Sequence, residues 1–215
     1  MKVLTLCPTR PERVVLFAPG AGGDPERHLP LLEYLAVGGC EVVAPYFERL
    51  SGPEANQDEL LARPNGLIEA LQERSSSDVP VVAVGHSIGG WAILCLAGGK
   101  PVGRNGHRID VPREPRLSRL VLMAPAAGWF AAPGALSDVS APMLVYAAEL
   151  DTVTPAEEVE LLKNAPVPVD LRVIPKAGHF SFMHALPPGV VENSEFDRDA
   201  ALARIADETL QFLNG

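Results

Sequence analysis

The chain has 215 residues, of which 47% are hydrophobic and 21% are charged, and its formal net charge is −9. This length and composition are typical of one globular domain, and we expect a single domain over residues 1–215. The negative charge disfavours nucleic acid and anionic membranes as partners, because binding to them depends on clustered Lys and Arg.

The chain begins with a short apolar segment, residues 1–8, which is soon interrupted by proline. It is too short for a signal peptide, and no later apolar run approaches the ~20 residues that cross a bilayer. We therefore expect a cytoplasmic protein that does not span a membrane. Cys7, Cys40 and Cys95 match neither a disulfide framework nor a zinc pattern, and we expect them to be buried small hydrophobic side chains.

Apolar, β-branched runs alternate with helical patterns along the rest of the chain. The runs are continuous, which is typical of strands covered on both faces of a parallel sheet. We predict strands at 14–18, 41–44, 81–84, 120–124, 143–147 and 171–174, with Val3–Leu6 as a candidate edge strand. We predict helices at 28–37, 65–74, 88–97, 155–164 and 198–213. This alternation predicts an α/β fold with a doubly wound, mostly parallel sheet flanked by helices.

A glycine-rich turn, Pro19-Gly20-Ala21-Gly22-Gly23, follows the first predicted core strand. Such a turn lets main-chain amides point into a site, and we expect the amide of Ala21 to be an oxyanion donor. The alternative is a phosphate-binding loop. The turn lacks the Lys-Ser/Thr ending of a P-loop and the glycine spacing of a dinucleotide site, which disfavours that alternative.

The segment Gly85-His86-Ser87-Ile88-Gly89 matches the pattern G-x-S-x-G and lies between a predicted strand and a predicted helix. A serine on such a tight turn projects its hydroxyl above the sheet edge, and the flanking glycines let the backbone crowd there. The helix N-terminus also directs amides toward a developing oxyanion. We expect Ser87 to be a nucleophile and the amide of Ile88 to be the second oxyanion donor.

Two connecting segments follow. Residues 100–116 are rich in Gly, Pro and Arg, and we interpret them as a solvated excursion or small hairpin, the alternative being a flap that recruits acidic substrates. Residues 125–141 are the only segment available as a cap, so we expect a minimal cap. Trp129 and Phe130 within it are candidates for a substrate-binding wall, although ordinary core packing explains them equally well.

An acid is expected at the carboxyl end of a later strand, and Asp151 lies there, just before a helix that begins near Pro155. A carboxylate at this position also serves as a helix cap, which is the structural alternative. Glu149 is the neighbouring candidate for the acid.

A base is expected after the last strand, where His179 lies on a loop preceded by glycine, with His184 as the alternative. The order Ser, Asp, His along the chain is that of the α/β-hydrolase triad, whereas chymotrypsin and subtilisin have other orders. Phe180, Phe182 and Met183 beside the base are further candidates for substrate-binding residues, with core packing again the alternative.

With these residues in place, the chain resembles the α/β-hydrolase superfamily from residue 14 to residue 213. The resemblance is carried by Gly85-His86-Ser87-Ile88-Gly89-Gly90, Met123-Ala124-Pro125-Ala126, Glu149-Leu150-Asp151-Thr152-Val153-Thr154-Pro155 and Ala177-Gly178-His179-Phe180-Ser181-Phe182. These segments look most like those of predicted dienelactone hydrolases and platelet-activating-factor acetylhydrolase-like proteins. True dienelactone hydrolases use a cysteine nucleophile where this chain has Ser87, so the resemblance implies the fold rather than that substrate. The chain also has Pro19-Gly20 where a His-Gly oxyanion motif is frequent.

The pattern predicts a serine hydrolase that cleaves a small ester, thioester or lactone without a metal or organic cofactor. Two rival classes share these residues. One is a binding protein on a hydrolase fold that has lost catalysis, and the other is a cofactor-free acyltransferase or haloperoxidase. The sequence leaves the natural substrate and the oligomeric state open.

Overall fold

The computed structural model describes residues 1–52, 55–74 and 79–215. Its strands are β1 (Val3–Leu6), β2 (Arg13–Ala18), β3 (Cys40–Pro45), β4 (Val81–His86), β5 (Leu117–Met123), β6 (Met143–Ala148) and β7 (Val169–Ile174). They form one seven-stranded sheet in the order β1-β3-β2-β4-β5-β6-β7. The edge strand β1 is antiparallel to β3, and the other neighbouring pairs are parallel.

Helices cover both faces of this sheet. They are α1 (Leu29–Val37), α2 (Gln57–Arg74), α3 (Ile88–Leu96), α4 (Ala156–Val159) and α5 (Arg198–Asn214), with short 3₁₀ segments at Pro25–His28, Ala127–Phe130 and Glu160–Asn164. Alternate side chains of β2 point to opposite faces of the sheet, as in any β-strand. Val14 and Leu16 pack in the cluster that includes α2 and α3, whereas Val15 and Phe17 pack in the cluster that includes α1 and α5. The predicted doubly wound, mostly parallel sheet is therefore confirmed.

The largest difference from prediction concerns α2, which starts at Gln57 rather than at residue 65. Pro64 lies inside the helix, and a proline in a helical pattern normally marks a helix boundary. A reciprocal capping box explains the earlier start: the Asn56 side chain accepts from the Glu59 amide at 3.0 Å, and the Glu59 carboxylate accepts from the Asn56 amide at 2.9 Å.

Smaller differences concern cysteine burial and the connecting segments. Cys40 and Cys95 are buried as predicted, but the prediction for Cys7 is wrong, because it lies exposed on the surface beyond β1. The 100–116 excursion contains an antiparallel bridge between Val102 and Arg108. No helix among the described residues is long and apolar enough to cross a membrane.

The strand order places a crevice between β2 and β4. The chain leaves β2 toward β3 on one side and returns to β4 on the other side, and Ala18 of β2 pairs with Gly85 of β4 where both strands end. A reversal of this kind separates the loops that follow the two strands and opens a site at their carboxyl ends. The glycine-rich turn after β2 and the Ser87 turn after β4 therefore face one another.

Candidate active site

Ser87 occupies a strained turn between β4 and α3. Its φ of 55° and ψ of −125° lie outside the regions that non-glycine residues usually adopt. Its amide donates to the Met123 carbonyl at 2.9 Å, and its own carbonyl accepts from the amides of Gly90 and Ala126 at 2.9 and 3.1 Å. These bonds hold the turn in a conformation that presents the Ser87 hydroxyl at the sheet edge.

Gly85 and Gly89 allow the backbone to crowd around this turn. A Cβ atom on Gly89 would lie 2.1 Å from the Ala18 carbonyl oxygen, and a Cβ atom on Gly85 would lie 2.8 Å from the Gly90 amide nitrogen. No side chain fits at either distance. The two glycines of the G-x-S-x-G pattern are therefore required by the approach of α3 to β2 and β4.

Ser87, His179 and Asp151 lie in one chain of hydrogen bonds. His179 Nε2 is 2.9 Å from Ser87 Oγ, and His179 Nδ1 is 2.8 Å from Asp151 Oδ2. All three residues are buried. Because a carboxylate only accepts, Nδ1 carries the proton of a neutral His179, and Nε2 is free to accept from the serine hydroxyl.

The Asp151 carboxylate is also fixed by the turn that follows β6. Its Oδ1 accepts from the amides of Val153 and Thr154 at 2.7 and 2.8 Å, and its Oδ2 is 2.9 Å from the Thr154 hydroxyl. Burial alone would raise the pKa of Asp151, but the bonds from His179, Thr154 and Val153 outweigh burial and lower it. Asp151 is therefore charged at neutral pH, and capping of its own turn accompanies its contact with His179. Sequence reasoning did not single out Thr154.

The two alternative residues lie elsewhere. The Glu149 carboxylate accepts from the amide of Lys176 at 2.8 Å, where it supports a residue with a φ of 62°. The backbone amide of His184 donates to the Arg27 carbonyl. Neither side chain is in hydrogen-bond contact with Ser87 in the described structure.

His86 ties the Ser87 turn to the loop that carries His179. Its Nε2 lies 3.0 Å from the His179 carbonyl oxygen and must donate, since a carbonyl only accepts. The His86 ring is 5.3 Å from that of His179 and 5.1 Å from that of His28. Burial, aided by the neighbouring His179, lowers the pKa of His86 to about 3, so its ring is neutral.

The glycine-rich turn lies against the serine. A Cβ atom on Gly20 would be 3.4 Å from the Ser87 Cβ atom, and Ala21 and Gly22 line the same cavity as Ser87 and His179. Ile88 begins α3 directly after the serine, so its amide belongs to the unpaired first turn of that helix. Ala21 thus lines the cavity beside Ser87, and Ile88 follows the serine at the start of α3; the role of their amides as oxyanion donors stays a prediction.

A cavity of about 360 Å³ opens over Ser87 and His179. Its apolar lining includes Leu50, Val153, Phe180, Met183, Pro188 and Val190. Phe180 and Met183 were predicted as walls and line it. Val153 also borders a second cavity of about 510 Å³, which is lined by Trp129 and Arg104 among others.

The other aromatic candidates are placed differently. Trp129 lines the second cavity and not the cavity over Ser87. Phe130 and Phe182 line neither cavity and are 3% and 0% exposed. Phe130 packs in the core beside α3, and Phe182 packs on the opposite face of the sheet against Tyr146. The expectation that these two residues form a substrate wall is corrected, because the core holds both side chains.

No family model matches the sequence, and no curated protein matches it either. Solved structures do match. Esterase 2 of Thermogutta terrifontis, a thermophilic esterase solved with propionate bound, aligns with 18% identity and a TM-score of 0.67 over 97% of this chain and 88% of that one. An α/β serine hydrolase homologue from Coxiella burnetii aligns with 15% identity and a TM-score of 0.65 over 97% of this chain and 89% of that one.

The same Thermogutta esterase has also been solved with butyrate bound and after phosphorylation by paraoxon, with TM-scores of 0.68 and 0.67. These alignments span nearly the whole length of both partners and include the seven-stranded sheet. The chain therefore has the α/β-hydrolase fold, as the resemblance implied.

Within the described ranges, no group of three or more His, Cys, Asp or Glu side chains is arranged to hold a metal ion. Besides the hydroxyl and imidazole already described, the lining of the cavity over Ser87 includes the charged residues Asp24, Arg27 and Arg49.

Proposed function

We propose that the chain is a serine hydrolase that cleaves small esters, thioesters or lactones through an acyl-enzyme intermediate on Ser87. The observation that carries the proposal is the continuous chain of hydrogen bonds from Ser87 to His179, 2.9 Å, and from His179 to Asp151, 2.8 Å, at the floor of an open cavity. In this arrangement Ser87 is the nucleophile, His179 is the general base, and Asp151 is the carboxylate that orients the base.

The proposed reaction has two halves. Ser87 Oγ attacks the carbonyl carbon while its proton passes to His179 Nε2, and the amides of Ala21 and Ile88 stabilise the oxyanion. Collapse of this intermediate releases the alcohol or thiol, which takes the proton from His179. Water then attacks the acyl-serine with His179 again as base, and the second collapse releases the acid and restores Ser87. Asp151 keeps the proton on Nδ1 and stabilises the imidazolium.

The solved neighbours support this class of reaction. Esterase 2 of Thermogutta terrifontis is described as an esterase, and organophosphates such as paraoxon phosphorylate it. Its complexes with propionate and butyrate are consistent with a substrate of short acyl chain. Esters of propionate and butyrate are therefore the first substrates to test with this chain.

The test is covalent labelling followed by intact-mass measurement. We expect a fluorophosphonate to add once to the wild-type chain and not to Ser87→Ala, because among the serines of residues 1–52, 55–74 and 79–215 only Ser87 has a histidine base within hydrogen-bond distance. Equal labelling of the two proteins, or none of either, would reject the proposal. A screen of esters, thioesters and lactones, with products identified in the presence and absence of an alcohol acceptor, separates hydrolysis from acyl transfer.

A further inference from the structure

Arg63 is a buried cation on α2, with 1% of its surface exposed. Burial lowers the pKa of its guanidinium to about 10, and no carboxylate in the described ranges forms an ion pair with it. An unpaired charge inside a protein is strongly unfavourable unless polar groups replace its water. The groups that surround Arg63 are therefore informative about its role.

Those groups are chiefly the carbonyl oxygens of the glycine-rich turn, together with the Glu48 carbonyl, 3.5 Å from Nη2, and the Phe47 ring, whose centroid is 5.2 Å from the guanidinium carbon. Arg63 Nη1 donates to the carbonyl of Pro19 at 3.2 Å and to that of Gly20 at 3.1 Å. Arg63 Nη2 donates to the carbonyl of Ala21 at 3.0 Å. The guanidinium thus gathers three consecutive carbonyls of one loop on one side.

This gathering helps to fix the direction of the amides in the same peptide units, together with the bonds that the Gly20 and Ala21 carbonyls accept from the amides of Gly23, at 2.9 Å, and Leu50, at 3.0 Å. In a trans peptide the N–H points opposite to the C=O. With the carbonyls of residues 19, 20 and 21 on Arg63, the amides of Gly20, Ala21 and Gly22 point to the other side of the loop. All three residues line the cavity that contains Ser87, and in the described structure none of these amides donates to a protein acceptor.

We propose that Arg63 is a positioning residue that orients the oxyanion-binding loop from behind. This inference rests on the proposed function, because it assigns the amide of Ala21 to the tetrahedral oxyanion. The five fixed donors of a guanidinium suit it to hold several carbonyls at once, which a lysine ammonium does not do. Its charge also polarises the peptide units whose amides face the substrate, and polarised donors stabilise an anion better.

The substitution Arg63→Met removes the charge and the donors while keeping an unbranched apolar stem. We expect kcat to fall by about 10² to 10³, the loss typical of a missing oxyanion donor, while KM changes by less than about threefold. The control is Arg13→Met, because Arg13 likewise donates to a backbone carbonyl, that of Leu213, and pairs with Glu12, but lies at the start of β2, away from the crevice. Its kcat should equal that of the wild type.

A trifluoromethyl ketone reports the oxyanion directly. The serine oxygen adds to its carbonyl carbon, the serine proton passes to His179, and the negative charge resides on the former carbonyl oxygen. We expect Arg63→Met to weaken this inhibitor by the same factor as kcat/KM, whereas a change in fold stability alone leaves the inhibition constant of the folded fraction unchanged.

Arg63→Lys distinguishes positioning from charge and carries the test if Arg63→Met does not fold. A lysine retains the positive charge but lacks the planar, forked N–H donors of a guanidinium. We therefore expect the kcat of this variant to be at most about a tenth of the wild-type value. A folded Arg63→Met or Arg63→Lys enzyme with wild-type kcat and inhibitor binding would overturn the inference. That result differs from failure of the proposed function, in which the wild type itself is neither labelled by fluorophosphonate nor active on any ester.

Discussion

At the scale of single residues, Asp151 shows how one carboxylate takes part in two sets of contacts. Its Oδ1 accepts from the amides of Val153 and Thr154, and its Oδ2 faces His179. The capping interpretation and the catalytic interpretation are therefore compatible, since the capping amides bind Oδ1 and leave Oδ2 for His179 and the Thr154 hydroxyl. Glu149 is tied instead to the amide of Lys176.

The substitution Asp151→Asn tests the catalytic interpretation. Asparagine retains an oxygen for the capping amides but does not support an imidazolium, and we expect kcat to fall on the order of 10⁴, as in chymotrypsin. Glu149→Gln is the matched control and should retain wild-type kcat. Turnover of p-nitrophenyl acetate and circular dichroism are the measurements. A folded Asp151→Asn enzyme with full kcat would contradict the prediction.

The sequence predicted where the side chains of the proposed triad lie, but not where Phe182 and Arg63 lie. The G-x-S-x-G turn and the order of Ser87, Asp151 and His179 along an α/β chain direct these residues to one sheet edge. The sequence leaves Phe182 open between a pocket wall and the core, because an aromatic residue beside a base has the same pattern in both. Arg63 gave no signal, since an arginine on a helix is normally solvated and its contact with the turn depends on how α2 packs.

At the scale of elements, α2 carries both a capping box at its start and the arginine that contacts the glycine-rich turn. The helix starts at the Asn56–Glu59 capping box and carries Arg63 further along. Sequence periodicity placed its start after Pro64, because the apolar pattern there is clearer than the capping signal. Strand positions were predicted within a few residues, since continuous apolar runs have few alternatives in a sheet covered on both faces.

Asn56→Ala removes the side-chain acceptor for the Glu59 amide, and loss of such a cap costs ~1 kcal/mol. We expect a lower urea midpoint with an unchanged m-value. The kcat should be unchanged, because the packed body of α2 holds Arg63. Gln57→Ala, an exposed substitution in the same turn, is the control. A stability equal to that of the wild type would mean that the capping box contributes nothing.

At the scale of the whole molecule, the connection between β5 and β6 bears on how long an acyl chain the proposed substrate can have. Residues 125–141 contain the short 3₁₀ segment Ala127–Phe130 and do not enclose the cavity of about 360 Å³ over Ser87. Each buried CH₂ contributes about 0.8 kcal/mol, but methylenes that stay in water contribute nothing.

We therefore expect kcat/KM to level off for acyl groups of roughly two to six carbons. The measurement uses p-nitrophenyl esters of increasing chain length, each below its micellar concentration. A steady rise of kcat/KM through decanoate would mean that the acyl chain extends past Val153 into the neighbouring cavity of about 510 Å³. The short-chain prediction would then be wrong.

Two buried histidines make the stability of the molecule depend on pH. Burial lowers the pKa of His28 well below its ordinary value and that of His86 to about 3. Below about pH 6.5 the unfolded chain binds a proton at each histidine that the folded chain does not, so stability falls as the pH falls.

For each histidine, the free energy of unfolding falls by at most about 1.4 kcal/mol for each unit by which the pH falls. We expect His28→Leu to flatten the loss of stability between about pH 6.5 and pH 5 relative to the wild type, by urea unfolding at several pH values. The exposed His107→Asn is the control and should keep the wild-type slope. An identical slope in His28→Leu would contradict the prediction.

The backbone of Ser87 bears on how the stability of the fold relates to the chemistry proposed for it. With a φ of 55° and a ψ of −125°, position 87 has a conformation that glycine adopts readily and that serine adopts at a cost of about 1–3 kcal/mol. Glycine at this position would relieve the strain but would remove the hydroxyl. The stability of the fold and the nucleophile of the proposed hydrolase therefore make opposite demands on position 87.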